Sequence, residues 1–293
     1  MDKEKNISKS NSNNVIKYFN EPDDEDYLWR YIDINKLLSF LLEKKLHLSR
    51  FDQLDDVHEG APVEHLIKKL TLHKLEQESE KKFEHLLMKI AVHLSDGILK
   101  WSREAETKLY QQLFYTNCWL IGKRESMAMW SAYSNKDSVA IKIKYKYLKE
   151  VFNKKQFKIL ELEEFYEIRL GKIQYIDFVN LHENIADVID KIQIGFTKDL
   201  SYQHENEFRI CLVKNNPEKI WKKYQDKERW TINDKKKLMA NKGLSIIMSN
   251  FENLPFEIVF HPKTDLFSKD NLKKLLSKLN LPFKTFDSEI ALR

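Results

Sequence analysis

Glu205, Glu207 and Arg209 occupy alternate positions in Tyr202-Gln203-His204-Glu205-Asn206-Glu207-Phe208-Arg209, and the apolar run Ile210-Cys211-Leu212-Val213 follows directly. Read as a strand, positions i, i+2 and i+4 share one face. Two carboxylates and a guanidinium then stand side by side at the mouth of an apolar strand. That much charge on one surface suits a polar functional pocket. An edge face on which Glu and Arg merely pair with each other gives the same pattern. His204 lies beside this stretch, and a lone histidine is more often a surface or capping residue than a catalyst.

A second acidic group, Asp52, Asp55, Asp56 and Glu59, falls in a short loop. Its hard oxygens could hold Mg²⁺, which with Glu205 and Glu207 would describe a metal-dependent nuclease. The simpler account is a polar turn whose Asp side chains bond local backbone N–H groups, and no metal is assigned. The basic segment from Lys214 to Lys242 could touch nucleic acid, but Glu218, Asp226, Glu228 and Asp234 dilute its field, so it reads as a solvated helix. There is no phosphate loop, glycine-rich dinucleotide fingerprint, His-Glu-x-x-His helix or Gly-x-Ser-x-Gly elbow.

Composition narrows the class. A chain of 293 residues can bury a large core as one large domain or two small ones, and 42% hydrophobic with 32% charged residues suits a globular protein. The net charge of +5 is a small difference between 50 basic and 45 acidic residues, so it permits an anionic ligand without demanding nucleic acid. Cys118 and Cys211, the only cysteines, sit in apolar strand-like runs, the pattern of buried free thiols in a reducing compartment. No apolar run reaches the roughly 18 residues that a membrane span needs. Met1 to Asn14 is polar and lacks the apolar centre of a secretory signal. Cytoplasmic residence is the resulting expectation, with residues 1–20 as a disordered leader and 21–293 as one domain.

The elements that must position the acidic residues follow from periodicity. Tyr27 to Ile32 reads as a strand, Asp33 to Lys45 as a helix capped by Asp33, and Leu46 to Phe51 as a second strand. Residues 62–112 show heptad-like apolar spacing and read as a helical insertion. Further strands are expected at 114–121, 138–145, on either side of Gly171 within 157–177, and at 205–213, 244–248, 256–260 and 282–286. Helices are expected at 125–133, 147–153, 179–195, 214–241 and 269–279. The resulting fold class is α+β, a mixed and mostly antiparallel split sheet flanked by helices and carrying the helical insertion.

Five blocks in this order resemble an uncharacterised bacterial family linked to phage defence, which includes AbiGi-like proteins. They are Tyr27-Leu28-Trp29-Arg30-Tyr31; Leu48-Ser49-Arg50-Phe51-Asp52 through Asp55-Asp56 to Glu59; Met129-Trp130-Ser131-Ala132-Tyr133; Gly171-Lys172-Ile173-Gln174-Tyr175; and Lys198 with Tyr202-x-x-Glu205-x-Glu207-Phe208-Arg209. The chain departs from the family at Leu54-Asp55-Asp56, where Asn-Asp-Pro is usual and a proline fixes the turn. The resemblance implies an intracellular defence effector, with a partner encoded in a defence operon. More distantly, an aromatic-flanked Arg30 on a first strand, then a helix, a second strand and a late Glu-x-Glu resemble the ADP-ribosyltransferase plan. That plan implies NAD as the cofactor or co-substrate. Arg30 would grip the pyrophosphate as a bidentate donor. Glu207 would be the electrostatic carboxylate, Glu205 would orient the acceptor, and Tyr133 or Tyr175 would stack on nicotinamide. Trp130, Lys198 and Arg209 would complete the pocket. The middle Ser-Thr-Ser strand of that plan is missing, and Trp130-x-x-Tyr133-Ser134 stands in its place.

The leading expectation is ADP-ribosyl transfer or NAD hydrolysis. It implies a nucleotide-type small molecule and a protein or nucleic-acid acceptor, with no membrane partner. A metal-dependent nuclease and a non-enzymatic sensor or antitoxin-like module are the alternatives. The first requires Arg30 and Glu207 to face one cleft within about 10 Å, the scale of a ligand pocket, and fails if they lie on opposite faces. The second requires three or more carboxylates to converge on an oxygen site at roughly the 2 Å Mg²⁺ distance. The third requires each glutamate to be paired to Arg or Lys with no open cavity.

Overall fold

A computed structural model describes residues 15–56, 59–60, 105–162, 165–177, 193–225 and 241–291. Residues 1–14, most of the expected insertion at 62–112 and most of the expected helix at 179–195 lie outside the described residues, as do residues 226–240 of the basic segment. The strands are β1 (Val15–Phe19), β2 (Tyr27–Ile32), β3 (Lys45–Arg50), β4 (Phe114–Ile121), β5 (Val139–Lys144), β6 (Phe157–Ile159), β7 (Glu167–Lys172), β8 (Gln174–Ile176), β9 (Thr197–Asp199), β10 (Glu207–Val213), β11 (Gly243–Met248), β12 (Glu257–Phe260) and β13 (Lys284–Phe286). The helices named below are α1 (Ile34–Glu43), α2 (Met127–Tyr133), α3 (Tyr145–Asn153), α4 (Pro217–Gln225) and α5 (Leu266–Lys278). Residues 105–113 are also helical and lead into β4.

Eleven strands form one mixed, mostly antiparallel sheet, and β8 with β9 forms a small parallel pair beside it. The α+β class and the split sheet are therefore as expected. The main path runs β1-β7-β10-β4-β2-β5-β12-β13, and a second branch, β3-β11-β6, leaves from β4. The branching has a simple cause. β4 pairs with β2 through Leu120 and Ile121, and with β3 through Tyr115 and Thr116, on the same side. Between these contacts the middle of β4 has no neighbouring strand there among the described residues, and a buried backbone group without a partner is costly. Side chains close the gap. Arg30 Nη1 donates to the Cys118 carbonyl at 2.7 Å, and Asn117 Nδ2 donates to the His47 carbonyl at 2.8 Å.

β10 lies between β4 and β7, and all seven of its residues are buried. Phe208, Ile210 and Leu212 enter the main core with α1 and α3, whose Leu37, Phe40, Leu148 and Phe152 pack there. The opposite face begins with Glu207 and Arg209 and continues with Cys211 and Val213, which join a second cluster with Phe51 and Phe114. The helix boundaries follow local chemistry. Asp33 accepts the Lys36 N–H at 2.9 Å, and the Ser126 hydroxyl accepts the Met129 N–H at 3.4 Å, both as N-caps.

Two expectations need correction. The leader read as residues 1–20 contains a strand, β1, whose ladder among the described residues comes from lying parallel to β7. The stretch 157–177 holds three strands, and Gly171 lies inside β7 rather than between strands. Glycine is required there because a Cβ would come within 1.9 Å of the Phe19 carbonyl oxygen. The basic segment forms helix α4 over Pro217–Gln225, as expected, and residues 226–240 lie outside the described residues.

Gly171→Ala forces β1 away from β7. The expected loss is about 1–3 kcal/mol, as for other overpacked sites, read as a lower urea midpoint with earlier proteolysis near Phe19. An unchanged midpoint would contradict the close approach.

Candidate functional site

Glu205 and Glu207 reach one site by different routes. Glu207 opens β10, whereas Glu205 ends a 3₁₀ turn, Leu200–Glu205, instead of extending the strand. Between them Asn206 adopts a left-handed conformation, φ 36°, which Asn tolerates better than most residues. Its backbone and side chain tie it to β4: the Asn206 carbonyl accepts the Ile121 N–H at 2.8 Å, and Nδ2 donates to the Ile121 carbonyl at 2.7 Å. The turn therefore replaces the simple pleat alternation expected of Glu205.

Arg209 is the centre of the charged cluster. Its Nε and Nη2 donate to the two oxygens of Glu207 at 2.6 and 2.9 Å. Nη2 also donates to Glu59 Oε1 at 2.7 Å, Nη1 donates to the Gly195 carbonyl at 3.1 Å, and Nη1 pairs with Glu59 Oε2. Lys198 lies 2.7 Å from Glu205 Oε2, 3.3 Å from Glu59 and 3.8 Å from Glu207, and its ammonium sits 4.3 Å from the centre of the Tyr202 ring. Tyr133 Oη donates to the other oxygen of Glu205 at 2.6 Å. Glu59, Glu205, Glu207, Lys198 and Arg209 are all buried. Three carboxylates and two cations leave a formal charge of −1.

Burial alone pulls Lys198 down, but Glu207 and Glu59 outweigh it and hold the ammonium above its ordinary value. The same two carboxylates hold Arg209 well above its own ordinary value against burial. Burial, reinforced by Glu205, pushes the Tyr133 hydroxyl up, so it stays a donor at neutral pH. Burial likewise pushes the Cys118 thiol up and the Cys211 thiol to about 12, which makes both poor nucleophiles.

This cluster forms part of the wall of a cavity of about 320 Å³. Arg30, Lys198, Glu205, Glu207, Arg209 and Tyr133 line it, together with Glu59, Trp29, Tyr31 and Tyr202. Arg30 makes one hydrogen bond, to Cys118, and has no carboxylate partner among the described residues. Burial pulls its guanidinium down while Glu207 works in the opposite direction.

Two expected ligand contacts lie elsewhere. Trp130 is buried behind the cavity, where Nε1 donates to Glu125 at 2.7 Å and its ring meets Tyr31 and His261 edge-on. Tyr175 accepts the Glu207 N–H at 2.9 Å and packs on the second core cluster. Both brace residues of the cavity instead of facing it. The acidic loop also divides: Asp52 is gripped by Arg50 at 2.7 and 2.8 Å, while Asp55, Asp56 and Glu59 line the cavity. Among the described residues, no three or more His, Cys, Asp or Glu side chains are arranged to hold a metal ion. Glu59 was legible only as a member of that loop, and its link to Arg209 spans 150 positions.

Residues 129–210 match the model of DUF2971, a protein family of unknown function. No curated protein and no solved structure matches the chain. The DUF2971 segment contains the last three of the five sequence blocks, and with them Tyr133, Lys198, Glu205, Glu207 and Arg209. Arg30 and Glu59 come from outside it, so the cavity is built from the DUF2971 segment and the residues before it. No helix among the described residues is long and apolar enough to cross a membrane.

Arg209→Met strands Glu59 and Glu207 as buried charges. The expected loss is about 3–5 kcal/mol, read from equilibrium denaturation, and a loss within the usual range for a surface substitution would refute the network. Lys198 yields a pH test. Its folded-state value lies above the ordinary 10.5, so its contribution is fully present below the unfolded value and fades as pH rises through the folded one. The stability gap between the wild type and Lys198→Met should stay level from neutral pH towards 10.5 and narrow beyond it. A gap that widens in alkali would contradict the assignment.

Proposed function

We propose that the cavity binds NAD and cleaves its nicotinamide–ribose bond, passing ADP-ribose to water or to an acceptor. One observation carries the reading: Arg30 and Glu207 line the same cavity. Its volume of about 320 Å³ falls at the small end of ligand pockets, enough for one half of a dinucleotide.

The chemistry follows from the charges. The bond from ribose C1′ to the pyridinium nitrogen breaks, and its electron pair leaves with nicotinamide, which becomes neutral. Positive charge develops on the ribose ring, and Glu207 faces it. Arg209 and the Tyr175 hydroxyl fix Glu207 through its side chain and its N–H, so the carboxylate is oriented before the charge appears. Water or an acceptor hydroxyl then adds to C1′ and gives up its proton to Glu205, which Lys198 and Tyr133 hold in place. The excess negative charge of the cluster favours this end of the cavity for the cationic half of NAD. The setting in phage defence rests on the five-block resemblance.

Incubation with NAD labelled in the nicotinamide ring tests the reaction. The wild type should release nicotinamide, and Glu207→Gln should release it about 10²–10³-fold more slowly, the usual effect of losing one preorganised electrostatic group. Equal release by both proteins, or none by the wild type with candidate acceptors present, would end the proposal.

A further inference from the structure

Leu266 and Phe267, at 78% and 76% exposure, are the most exposed large apolar side chains among the described residues. They open α5, yet the helix does not need them there. Asp265 already caps it, accepting the Ser268 N–H at 2.8 Å and the Ser268 hydroxyl at 3.0 Å. Beside them α1 and α5 border a second cavity of about 360 Å³, lined by Ile34 and Leu38 of α1, Leu272 and Leu275 of α5, Val139 of β5 and Phe260 of β12. Asn271 also lines this hollow, and Phe267 stands one turn earlier on the same stripe of α5, so the exposed ring sits at the rim. Leu42, also exposed, continues the Ile34–Leu38 stripe along α1. A single exposed leucine needs no explanation, but apolar residues gathered around a hollow mark a contact surface.

The charges around this face favour one occupant. On α5 the exposed Asp270 precedes the exposed Lys273, Lys274 and Lys278, and none of these four side chains has an ion pair among the described residues. The neighbouring charges are already matched: Lys269 with Asp287, Lys36 with Asp33 and Lys45 with Glu43. Asp137 is the one charged residue that lines the hollow among the described residues. Lys136 and Lys263, exposed in the loops beside it, offset its charge, so the polarity belongs to α5 itself. A second α5 lying parallel would set lysine against lysine, whereas an antiparallel one sets Asp270 against Lys274. A two-fold axis crossing α5 near Asn271 produces the antiparallel arrangement, and the same rotation brings Phe267 of each copy to the hollow of the other. A partner that only filled the hollow would leave Leu266 and Phe267 in water. We propose that this face is the interface of a homodimer, with Phe267 as its apolar anchor and Asp270 and Lys274 paired twice across the axis. The inference is independent of the NAD reading, because neither the anchor nor the paired charges belong to the charged cavity.

Sedimentation velocity of the full chain over a concentration series tests this. The wild type should form dimers that dissociate on dilution. Phe267→Asp alters a side chain too exposed to hold the fold, so the urea midpoint of the monomer should stay as it is. The dimer dissociation constant should rise roughly 30-fold or more, the effect of losing a central aromatic anchor. Asp270→Lys and Lys274→Asp should each weaken self-association several-fold, because each places like charges face to face twice. An equimolar mixture of these two variants should recover wild-type affinity as heterodimers, since both contacts of the mixed pair regain opposite charges. A dimer indifferent to Phe267→Asp, or a mixture no tighter than its components, would overturn the proposal. So would a wild type that stays monomeric at every concentration, which would leave the hollow to a partner of different sequence.

Discussion

The saturated guanidinium of Arg209 is the constraint on which the site depends. Arginine has donors in a fixed plane and no acceptor, so its position determines where carboxylates and carbonyls must lie. Here those partners are Glu207 two residues away, Glu59 across the fold and the Gly195 carbonyl. Strand pairing fixes Arg209 itself, because it stands opposite Cys118 on β4 and Gly171 on β7. The acidic loop, the segment around Gly195 and the start of β10 are thereby drawn to one point. Lys198 extends the arrangement to Glu205, and Tyr133 carries it to α2.

The second requirement is geometric. A sheet whose strands all paired along their full length would leave no opening at this level. β4 instead shares one side between β2 and β3, and α1 spans the two branches. The main core fills the other face, with Leu28, Trp119 and Phe208 beneath the branch point. The unpaired middle of β4 demands partners for its backbone, and Arg30 supplies one. The same side chain therefore seals the sheet and presents its remaining donors to the cavity. A hydrocarbon side chain could fill the space but could not bond the Cys118 carbonyl.

Much of this was legible in residues with local consequences. The alternation of Val139 to Lys144, the Asp33 cap and the apolar run after Arg209 each specify their element through contacts within a few positions. The acidic pair was visible for the same reason. What the sequence concealed depends on distant partners. β1 is a short strand whose ladder, among the described residues, comes from β7, and Gly171 looks like a break until the Phe19 carbonyl is seen to occupy the space of its side chain. Trp130 and Tyr175 have the right chemistry for stacking on a ligand, yet packing turns one towards Glu125 and the other towards the Glu207 backbone. Aromatic residues near a site are as useful for bracing as for contact, and only the fold separates the two. Glu59 was grouped with Asp52, Asp55 and Asp56 because they are neighbours in sequence, whereas Arg50 holds Asp52 and Arg209 holds Glu59.

The paired state of Glu205 and Glu207 bears on whether the cluster acts or merely holds the fold. Buried ion pairs are a poor way to gain stability, since apolar residues of similar volume often do as well or better. The same face of β10 uses that cheaper solution two residues later, at Cys211 and Val213. On β10 the charged residues stand where the face opens onto a cavity, whereas on β7 the buried Glu167 pairs with Arg169 and Lys17 away from it. Carboxylates held by arginine, lysine and tyrosine need not reorganise when charge develops beside them, which is the property that electrostatic catalysis requires. Pairing also lets three carboxylates coexist in a small volume without expelling one another's charge, and the cluster keeps a formal excess of −1.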